Sequence, residues 1–268
     1  MNKKIDGFHL IFILLGLIAI LLIVLPPFKT IISSSVPMLW ETFLESEVYN
    51  SILLTVIAAL TATLIGLFIG IPLAYLLARY QFFGKNILEA LIDIPIVIPH
   101  SAAGVALLFV FGRKYFLGSF LYRLGIDFFQ TFEGVVLAMI FISIPFLIDS
   151  VKEGFRLIDV RLERVARTLG ATPWQVFFRI SLPLVAKSIF SGSILMWARG
   201  VSEFGAVMII AYHATFFGRT GKVLPILVSD RFNFGLEYAR PIAALGILIS
   251  LVIFIVLRLF TTREGKHD

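Results

Sequence analysis

Residues 51–78 have the sequence SILLTVIAALTATLIGLFIGIPLAYLLA, a run of 28 residues without a charged side chain. At a rise of about 1.5 Å per residue, a helix of this length exceeds the ~30 Å hydrocarbon core of a bilayer. Similar runs recur along the 268-residue chain, of which 59% is apolar and only 15% is charged. A soluble domain needs more charge than this to keep its surface hydrated. The sequence therefore predicts an all-α polytopic membrane protein.

The hydropathy pattern predicts six transmembrane spans, at residues 8–26, 51–78, 90–112, 134–151, 186–212 and 241–261. An even number of spans places both termini on the same side of the membrane. With the N-terminus in the cytoplasm, 14 of the 23 Lys and Arg residues lie inside, 8 lie outside and Arg199 lies within a span. Because basic residues are enriched in cytoplasmic segments, we expect a multi-pass plasma membrane protein with both termini in the cytoplasm.

The composition also excludes several kinds of site. The net charge of +6 is expected in the cytoplasmic segments of a membrane protein, so it does not indicate a nucleic-acid partner. The chain has no cysteine, which excludes disulfides and thiolate metal sites, and its four histidines are scattered. The first apolar run could be a signal peptide, but it ends at Pro26 and Pro27 without a small-residue cleavage site. We therefore predict a retained first helix and no metal site.

The loop between the fourth and fifth spans, residues 152–186, is predicted to contain two short helices. Asp159 can cap the first helix, and Gly170 can end it. On this helix Glu163 and Arg167 are spaced i, i+4 and are expected to pair on the solvated side. The apolar residues at i, i+3, i+4 and i+7 form a stripe on one face: Leu162, Val165, Ala166 and Leu169.

The second helix of this loop begins with Thr172 as its cap and Pro173 at its first position, and Leu182 and Pro183 are expected to end it. Its aromatic residues are predicted to share one face: Trp174, Phe177 and Phe178. Exposed aromatics beside several basic residues indicate an interface. The alternative is that these amphipathic helices only lie on the membrane surface.

The segment LERVARTLGATPWQVFFRISLP, residues 162–183, resembles the EAA loop of ABC importer permeases. That pattern is Glu-Ala-Ala, three residues, Gly, nine residues and Ile-x-Leu-Pro, and it is matched by Gly170, Ile180, Leu182 and Pro183. The front end of the pattern departs from this sequence. Arg164 stands where the family has Glu, Val165 stands at the first Ala and Ala166 fits the second, while Glu163 comes one residue early.

The resemblance implies that this loop docks on a separate ATP-hydrolysing subunit. The coupling residues it implies are Glu163, Ala166, Gly170, Ala171, Trp174, Phe177, Phe178, Ile180, Leu182 and Pro183. ATP and Mg would then be bound by the partner ATPase, with no cofactor on this chain and no catalytic role for it. The sequence agrees with this expectation. Its nearest approach to a phosphate-binding loop is GRTGK at residues 218–222, and this segment lacks the G-x-x-x-x-G-K-[ST] spacing of such a loop.

Three further segments, residues 71–79, 94–104 and 197–206, resemble molybdate/tungstate permeases, with sulfate/thiosulfate permeases as near relatives. The resemblance extends from about residue 50 to residue 260. It implies a single transmembrane domain over residues 1–268 of the ABC type I importer kind. It also implies a homodimer with the pathway at its interface, two ATP-binding cassette subunits, and an extracytoplasmic oxyanion-binding protein.

Two charged residues lie deep in the fifth predicted span. Arg199 and Glu203 are spaced i, i+4 and can pair, and intramembrane charges usually face a bundle interior or an aqueous path. A cation beside the pathway suits an oxyanion, to which His100 and Ser101 could also donate hydrogen bonds. Alternatively, the pair is a salt bridge that only fixes helix packing, and His100 is a structural histidine.

Two other classes of protein compete with the importer. An intramembrane enzyme needs a nucleophile with a base, or a metal cluster, and the spans show neither cysteine nor paired histidines or carboxylates. A secondary transporter normally has inverted repeats with discontinuous helices. Six spans and a structured loop favour the importer.

Overall fold

The computed structural model describes residues 7–263, with side chains described from residue 8 to residue 257. The described part of the chain is almost entirely helical. Its first half contains α1 (Gly7–Ile32), α2 (Val36–Leu44), α3 (Ser46–Arg79), α4 (Lys85–Val97), α5 (His100–Phe111), α6 (Phe116–Arg123) and α7 (Phe132–Leu157).

The second half begins with the segment predicted to form two short helices. The elements are α8 (Val160–Thr168), α9 (Pro173–Val176), a π-helical turn (Phe177–Ser181), α10 (Leu182–Leu184), α11 (Ala186–Val201) and α12 (Gly205–Ile210). An antiparallel hairpin of β1 (Ala214–Phe216) and β2 (Arg219–Gly221) follows, and then α13 (Leu224–Phe232) and α14 (Leu236–Arg263).

Four unbroken helices are long and apolar enough to cross a membrane: Phe8–Ile32, Ser46–Arg79, Phe132–Leu157 and Leu236–Leu257. They confirm the first, second, fourth and sixth predicted spans. Two bent pairs of helices are also long and apolar enough to cross a membrane when each pair is counted as one span. They are α4 with α5, bent by 116°, and the 173–184 segment with α11, bent by 69°.

The third predicted span, residues 90–112, is not a continuous helix but the bent pair of α4 and α5. It is broken at Ile98, which has an extended backbone with φ −72° and ψ 147° and precedes Pro99. A proline disfavours the helical conformation of the residue before it and cannot donate a backbone hydrogen bond. Pro99 therefore permits a break at this point, where the chain leaves α4 and restarts at His100 in a new direction.

The fifth predicted span, residues 186–212, is also broken. Helix α11 ends at Val201, and α12 begins only at Gly205. Between them lies Glu203, whose Oε1 accepts a hydrogen bond of 2.9 Å from the backbone N–H of Ala206. This carboxylate satisfies an orphan donor at the start of α12, as a capping side chain does, and so stabilises the break.

The described residues divide into two compact units. The first comprises residues 7–49 and 228–252, and here the guanidinium of Arg231 contacts Glu45 at 3.1 Å and Glu47 at 2.9 Å. A single transmembrane domain over residues 1–268 remains a prediction. So does the cytoplasmic placement of both termini, since Lys3, Lys4 and Lys266 lie outside the described residues.

The second unit comprises residues 50–227 and 253–263, and α7 passes through its core. Small residues bring the helices close together. A Cβ added at Gly66 would lie 2.4 Å from the side chain of Met196, and one added at Gly70 would lie 3.3 Å from Leu147. Both glycines therefore mark close packing of α3, as their small-xxx-small spacing predicts.

Helix α11 packs along α7 in the same manner. A Cβ at Gly192 would lie 2.9 Å from Ser150, and one at Gly154 would lie 2.5 Å from the Cβ of Ser188. The hydroxyl of Ser150 donates to the carbonyl of Ser188 at 3.0 Å. Because these contacts fix α11 against α7, they also fix the segment 160–184 that leads into α11.

Candidate coupling surface and translocation site

Helix α8 begins and ends at the residues that the sequence predicts. The carboxylate of Asp159 accepts from the N–H of Arg161 at 2.9 Å. At the other end Gly170 has φ +89°. Its N–H donates to the carbonyl of Arg167 at 3.1 Å, and the N–H of Ala171 donates to that of Ala166 at 3.0 Å. These two bonds form a Schellman motif, which a left-handed glycine permits at little steric cost.

Helix α9 begins with a capping box that the sequence analysis only half identified. Thr172 Oγ1 accepts from the N–H of Gln175 at 3.3 Å, as expected for a cap. Gln175 Oε1 accepts in return from the N–H of Thr172 at 2.7 Å. The spacing Thr-x-x-Gln was visible in the sequence and is a known signature of this motif. The two caps together fix the turn between α8 and α9.

The predicted end of the second short helix at Leu182 and Pro183 is shifted. The chain stays helical to Leu184 and bends at Val185. Before the proline the helix widens, so that the N–H of Leu182 donates to the carbonyl of Phe177. Pro183 has no N–H and its ring would clash with the carbonyl four residues earlier, which explains why this turn is π-helical.

The segment exposes large apolar side chains. Leu169 is 83% exposed and Trp174 is 72% exposed, and the ring of Trp174 stacks on that of Phe178 at 5.8 Å. We use the name coupling surface for the exposed residues Leu162, Val165, Leu169, Trp174 and Phe178. A cavity of about 340 Å³ lies in the elbow beside this surface, lined by Ala166, Leu169, Gly170, Ala171, Gln175, Arg179 and Ile180.

Phe177 does not share the exposed face of Trp174 and Phe178, so that prediction is wrong. Its ring makes an edge contact with Tyr75 at 5.0 Å and lies 6.3 Å from the ring of Phe155. The π-helical turn begins at Phe177, and the side chain packs inward against α3 and α7. Among the aromatic residues of this segment, Phe177 therefore anchors the segment to the unit's core.

The predicted pairing of Glu163 with Arg167 on the solvated side is also wrong. Glu163 is buried, and its Oε1 accepts from Arg79 Nε at 2.9 Å and from Ser181 Oγ at 2.8 Å. Arg167 donates instead to the carbonyl of Ala171 at 2.9 Å. Helix α8 thus turns a carboxylate inward and its apolar stripe outward. Sequence reasoning missed Arg79, which lies 84 residues before its partner.

The second candidate site lies at the breaks in the third and fifth predicted spans. Arg199 Nη2 lies 2.8 Å from Glu203 Oε2, so the predicted pair is confirmed. His100 Nδ1 lies 3.1 Å from the same oxygen. Glu203 is fully buried, whereas 21% of the Arg199 side chain is exposed. Ser101 is exposed in the first turn of α5, and in the described structure its hydroxyl takes no part in these contacts.

Two glycines hold the breaks together. A Cβ at Gly205 would lie 2.7 Å from the Cβ of His100, and a Cβ at Gly104 would lie 2.7 Å from that of Ile209. The starts of α5 and α12 are therefore in direct contact. Interrupted helices at membrane depth are tolerated where they are buried in protein or line a water-filled cavity. This arrangement presents one partly exposed guanidinium beside a histidine, which is chemistry suited to an anion.

Comparison with known proteins agrees with this architecture. The family described as "Binding-protein-dependent transport system inner membrane component" matches residues 70–264. The chain is 40% identical over 234 residues, 87% of each chain, to the molybdate/tungstate transport system permease protein WtpB of Thermococcus kodakarensis. It is 29% identical over 256 residues, 94% of this chain and 92% of the other, to the sulfate transport system permease protein CysT of Escherichia coli.

The fold is also similar to a solved structure. A chain of a bacterial alginate ABC transporter, crystallised with an alginate-bound periplasmic protein, has a TM-score of 0.68 at 19% identity. The match covers 95% of this chain and 92% of that one. The protein is thus a multi-pass membrane permease with the fold of an ABC importer transmembrane domain. The chain belongs to the family of inner membrane components of binding-protein-dependent transport systems, and within it to the molybdate/tungstate transport permeases.

Proposed function

We propose that this chain is the translocating subunit of an ATP-driven importer that carries molybdate or tungstate into the cell. A separate ATP-binding cassette subunit, present in two copies, binds ATP with Mg and docks on the coupling surface. A second copy of this chain completes the pathway, and an extracytoplasmic binding protein delivers the oxyanion. The chain itself performs no catalysis.

The exposed apolar stripe of α8 is the observation that carries this proposal. An isolated surface helix turns its apolar stripe toward the protein and its charges toward water. Here the carboxylate of Glu163 is buried, and Leu162, Val165 and Leu169 point away from the chain. A buried leucine side chain gains about 1.5–3 kcal/mol over an exposed one, so an exposed apolar stripe indicates a partner.

The fixed shape of the surface favours a protein partner over the membrane. A helix lying on lipid needs no defined turn, since lipid adapts to its apolar face. Here the Schellman motif at Gly170 and the capping box at Thr172 fix the angle between α8 and α9. The resulting elbow contains an open depression on its surface that a side chain of the partner could contact. These features support docking of a folded subunit.

The helix-break site supports an anionic substrate. Arg199 holds a fixed positive charge, and its partial exposure leaves it able to meet a ligand while it contacts Glu203. Fixed cations raise the local concentration of anions along a path. Molybdate and tungstate are favoured over sulfate because molybdate/tungstate relatives are 40–42% identical to this chain, whereas sulfate relatives are 28–33% identical.

A reconstituted complex tests the function. The chain is co-expressed with a candidate ATPase and placed in proteoliposomes with the cognate binding protein. We expect ATP hydrolysis and uptake to be stimulated by molybdate and tungstate, and only weakly by sulfate. Equal or stronger stimulation by sulfate would identify a sulfate permease. Uptake driven by an ion gradient without ATP would contradict the ABC mechanism.

A further inference from the structure

A buried ionic junction between Arg79 and Glu163 lies beneath the coupling surface. The carboxylate of Glu163 on α8 accepts from Arg79 Nε at 2.9 Å and from Ser181 Oγ, in the π-helical turn, at 2.8 Å. Arg79 is the last residue of α3, and its Nη1 also donates to the carbonyl of Phe155 on α7 at 2.7 Å. One ion pair therefore joins four elements.

The junction is closed to solvent. Only 7% of the Arg79 side chain and 10% of the Glu163 side chain are exposed. A buried charge pair is kept in place by the cost of leaving either charge without its partner. The carbonyl of Phe155 belongs to the last turn of α7 and accepts from the N–H of Ile158 at 3.2 Å as well as from the guanidinium. The junction is thus a rigid connection.

The opposite end of α3 contacts a different part of the second unit. Asn50 accepts from the guanidinium of Arg219 on β2 at 3.2 Å, and Thr55 Oγ1 accepts from the N–H of Leu224 on α13 at 2.8 Å. Helix α3 is unbroken between these contacts and Arg79. At about 1.5 Å per residue, the roughly 30 residues from Asn50 to Arg79 span about 45 Å, which is more than the hydrocarbon thickness.

We infer that Arg79 and Glu163 are positioning residues that transmit movement of the coupling surface to α3 and α7. The inference rests on the proposed function, because it supposes that an ATPase moves that surface. Glu163 is buried, whereas Leu162 and Leu169 of the same helix are exposed, so a displacement of α8 at its exposed side reaches α3 through this carboxylate. Helix α3 then carries the displacement toward β2 and α13 on the other side of the membrane.

A second connection runs through the chain itself and does not need the junction. The segment continues through α10 and the bend at Val185 into α11. If this covalent connection alone transmitted the movement, loss of the ion pair would leave transport coupled to ATP hydrolysis. The number of ATP molecules hydrolysed per oxyanion taken up therefore distinguishes the two routes.

The experiment compares two conservative variants in the reconstituted complex with its ATPase and binding protein. Glu163→Gln keeps an acceptor for Arg79 and Ser181 but removes the negative charge. Arg79→Lys keeps the positive charge but lacks the planar fork that reaches both Glu163 and the carbonyl of Phe155. The matched control is Glu89→Gln, which weakens the contacts of Glu89 with Lys152 at 3.4 Å and with Arg156 at 3.2 Å. Glu89, Lys152 and Arg156 all lie outside the segment from α8 to α10.

We expect both junction variants to co-purify with the ATPase and to hydrolyse ATP, while the ATP used per oxyanion rises about tenfold, as for a lost coupling free energy of ordinary size. Glu89→Gln should change this ratio less than about twofold. An unchanged ratio in assembled junction variants overturns the inference. The wild-type complex separately decides the proposed function, since it must take up oxyanion at the expense of ATP.

The charge exchange Arg79→Glu with Glu163→Arg covers the case in which the single variants do not assemble. It regenerates an ion pair at the same place, and we expect it to restore assembly and to bring the ATP per oxyanion back within about threefold of wild type. An exchanged protein that assembles but stays uncoupled overturns the inference. Failure of the exchange and of both single variants to assemble also overturns it, because the pair is then needed only for folding.

Discussion

The junction at Glu163 and the helix-break site at Glu203 contain the same two residue types, a glutamate and an arginine, in different surroundings. In both, a buried glutamate contacts an arginine at 2.8 Å. At the junction the arginine is only 7% exposed and its Nη1 donates to the backbone carbonyl of Phe155. At the break Arg199 is 21% exposed and lies beside His100. A buried arginine can only connect elements of the fold, whereas an arginine that is partly exposed can also contact a ligand.

The largest effect is expected from Glu203→Ala. This change removes the partner of Arg199 and the acceptor for the N–H of Ala206 in a fully buried position. Loss of one member of a buried ion pair costs about 3–5 kcal/mol, so the thermal midpoint of the purified permease should fall sharply. A Glu203→Ala protein that melts like wild type would show that this pair is not a stabilising element.

The double variant Arg199→Met with Glu203→Gln distinguishes a packing role of this pair from contact of Arg199 with the oxyanion. It removes both charges but keeps an acceptor for Ala206, so most of the stability should return. If Arg199 meets the oxyanion, uptake in the assembled double variant should stay at least about tenfold below wild type, as for the loss of a charge-assisted contact of about 1.5 kcal/mol or more. Recovery of uptake would assign the pair a packing role only.

Docking is tested on the coupling surface itself. Trp174→Asp places a charge where a stacked aromatic is 72% exposed, and we expect the affinity for the ATPase to fall by about 2–4 kcal/mol, as for an interface hot spot. The matched control is Phe217→Asp, an aromatic in the turn between β1 and β2 that is even more exposed, at 84%. Co-purification of the ATPase is measured for both. Equal loss in the two variants would contradict a specific surface.

Phe177→Ala should behave in the opposite way to Trp174→Asp. The ring of Phe177 packs on Tyr75 and Phe155, so its removal should lower the stability of the permease by about 2 kcal/mol. The coupling surface keeps all its side chains, so the ATPase should still co-purify at permissive temperature. Thermal unfolding and co-purification on the same sample check both expectations. Loss of the ATPase from a protein of unchanged stability would place Phe177 at the interface.

Local chemistry was predictable from the sequence, whereas long-range contacts were not. The caps at Asp159 and Thr172 and the stop at Gly170 depend on residues within one turn, and all three are confirmed. The orientation of α8 depends on Arg79, 84 residues away, and was therefore missed. Without that partner, Glu163 and Arg167 had the spacing of an ordinary surface pair.

The prolines in the membrane spans also show that long-range contacts cannot be predicted from local sequence. Pro72 and Pro145 lie inside unbroken helices, whereas the chain breaks at Pro99. The residue type is the same in each case, so local propensity does not decide between a tolerated proline and a break. What differs is the packing: α5 restarts against α12, where Gly104 and Gly205 permit close contact. That contact joins parts of the chain about a hundred residues apart.

A third arginine–carboxylate pair, Arg113 with Asp127, gives the smallest expected effect. It lies between α5 and α7, outside the spans, and 52% of the Arg113 side chain is exposed. Burial alone would raise the pKa of Asp127, but the hydrogen bonds from Arg113 and from the N–H of Phe129 outweigh it and lower that pKa below its usual value. The folded state therefore favours the ionised carboxylate.

The sign of the pH dependence follows from this lowered pKa. A carboxyl whose pKa is lower in the folded state stabilises the protein above its unfolded pKa of about 3.9, and this contribution is lost as the pH falls through the folded pKa. Because 52% of the Arg113 side chain is exposed and solvent screens the pair, we expect Asp127 to contribute at most about 1 kcal/mol. Asp127→Asn should therefore lower the thermal midpoint slightly at pH 6, and this difference should shrink as the pH falls from about 4 toward the folded pKa of Asp127. A loss at pH 6 as large as that of Glu203→Ala would contradict the ranking of the three pairs by exposure.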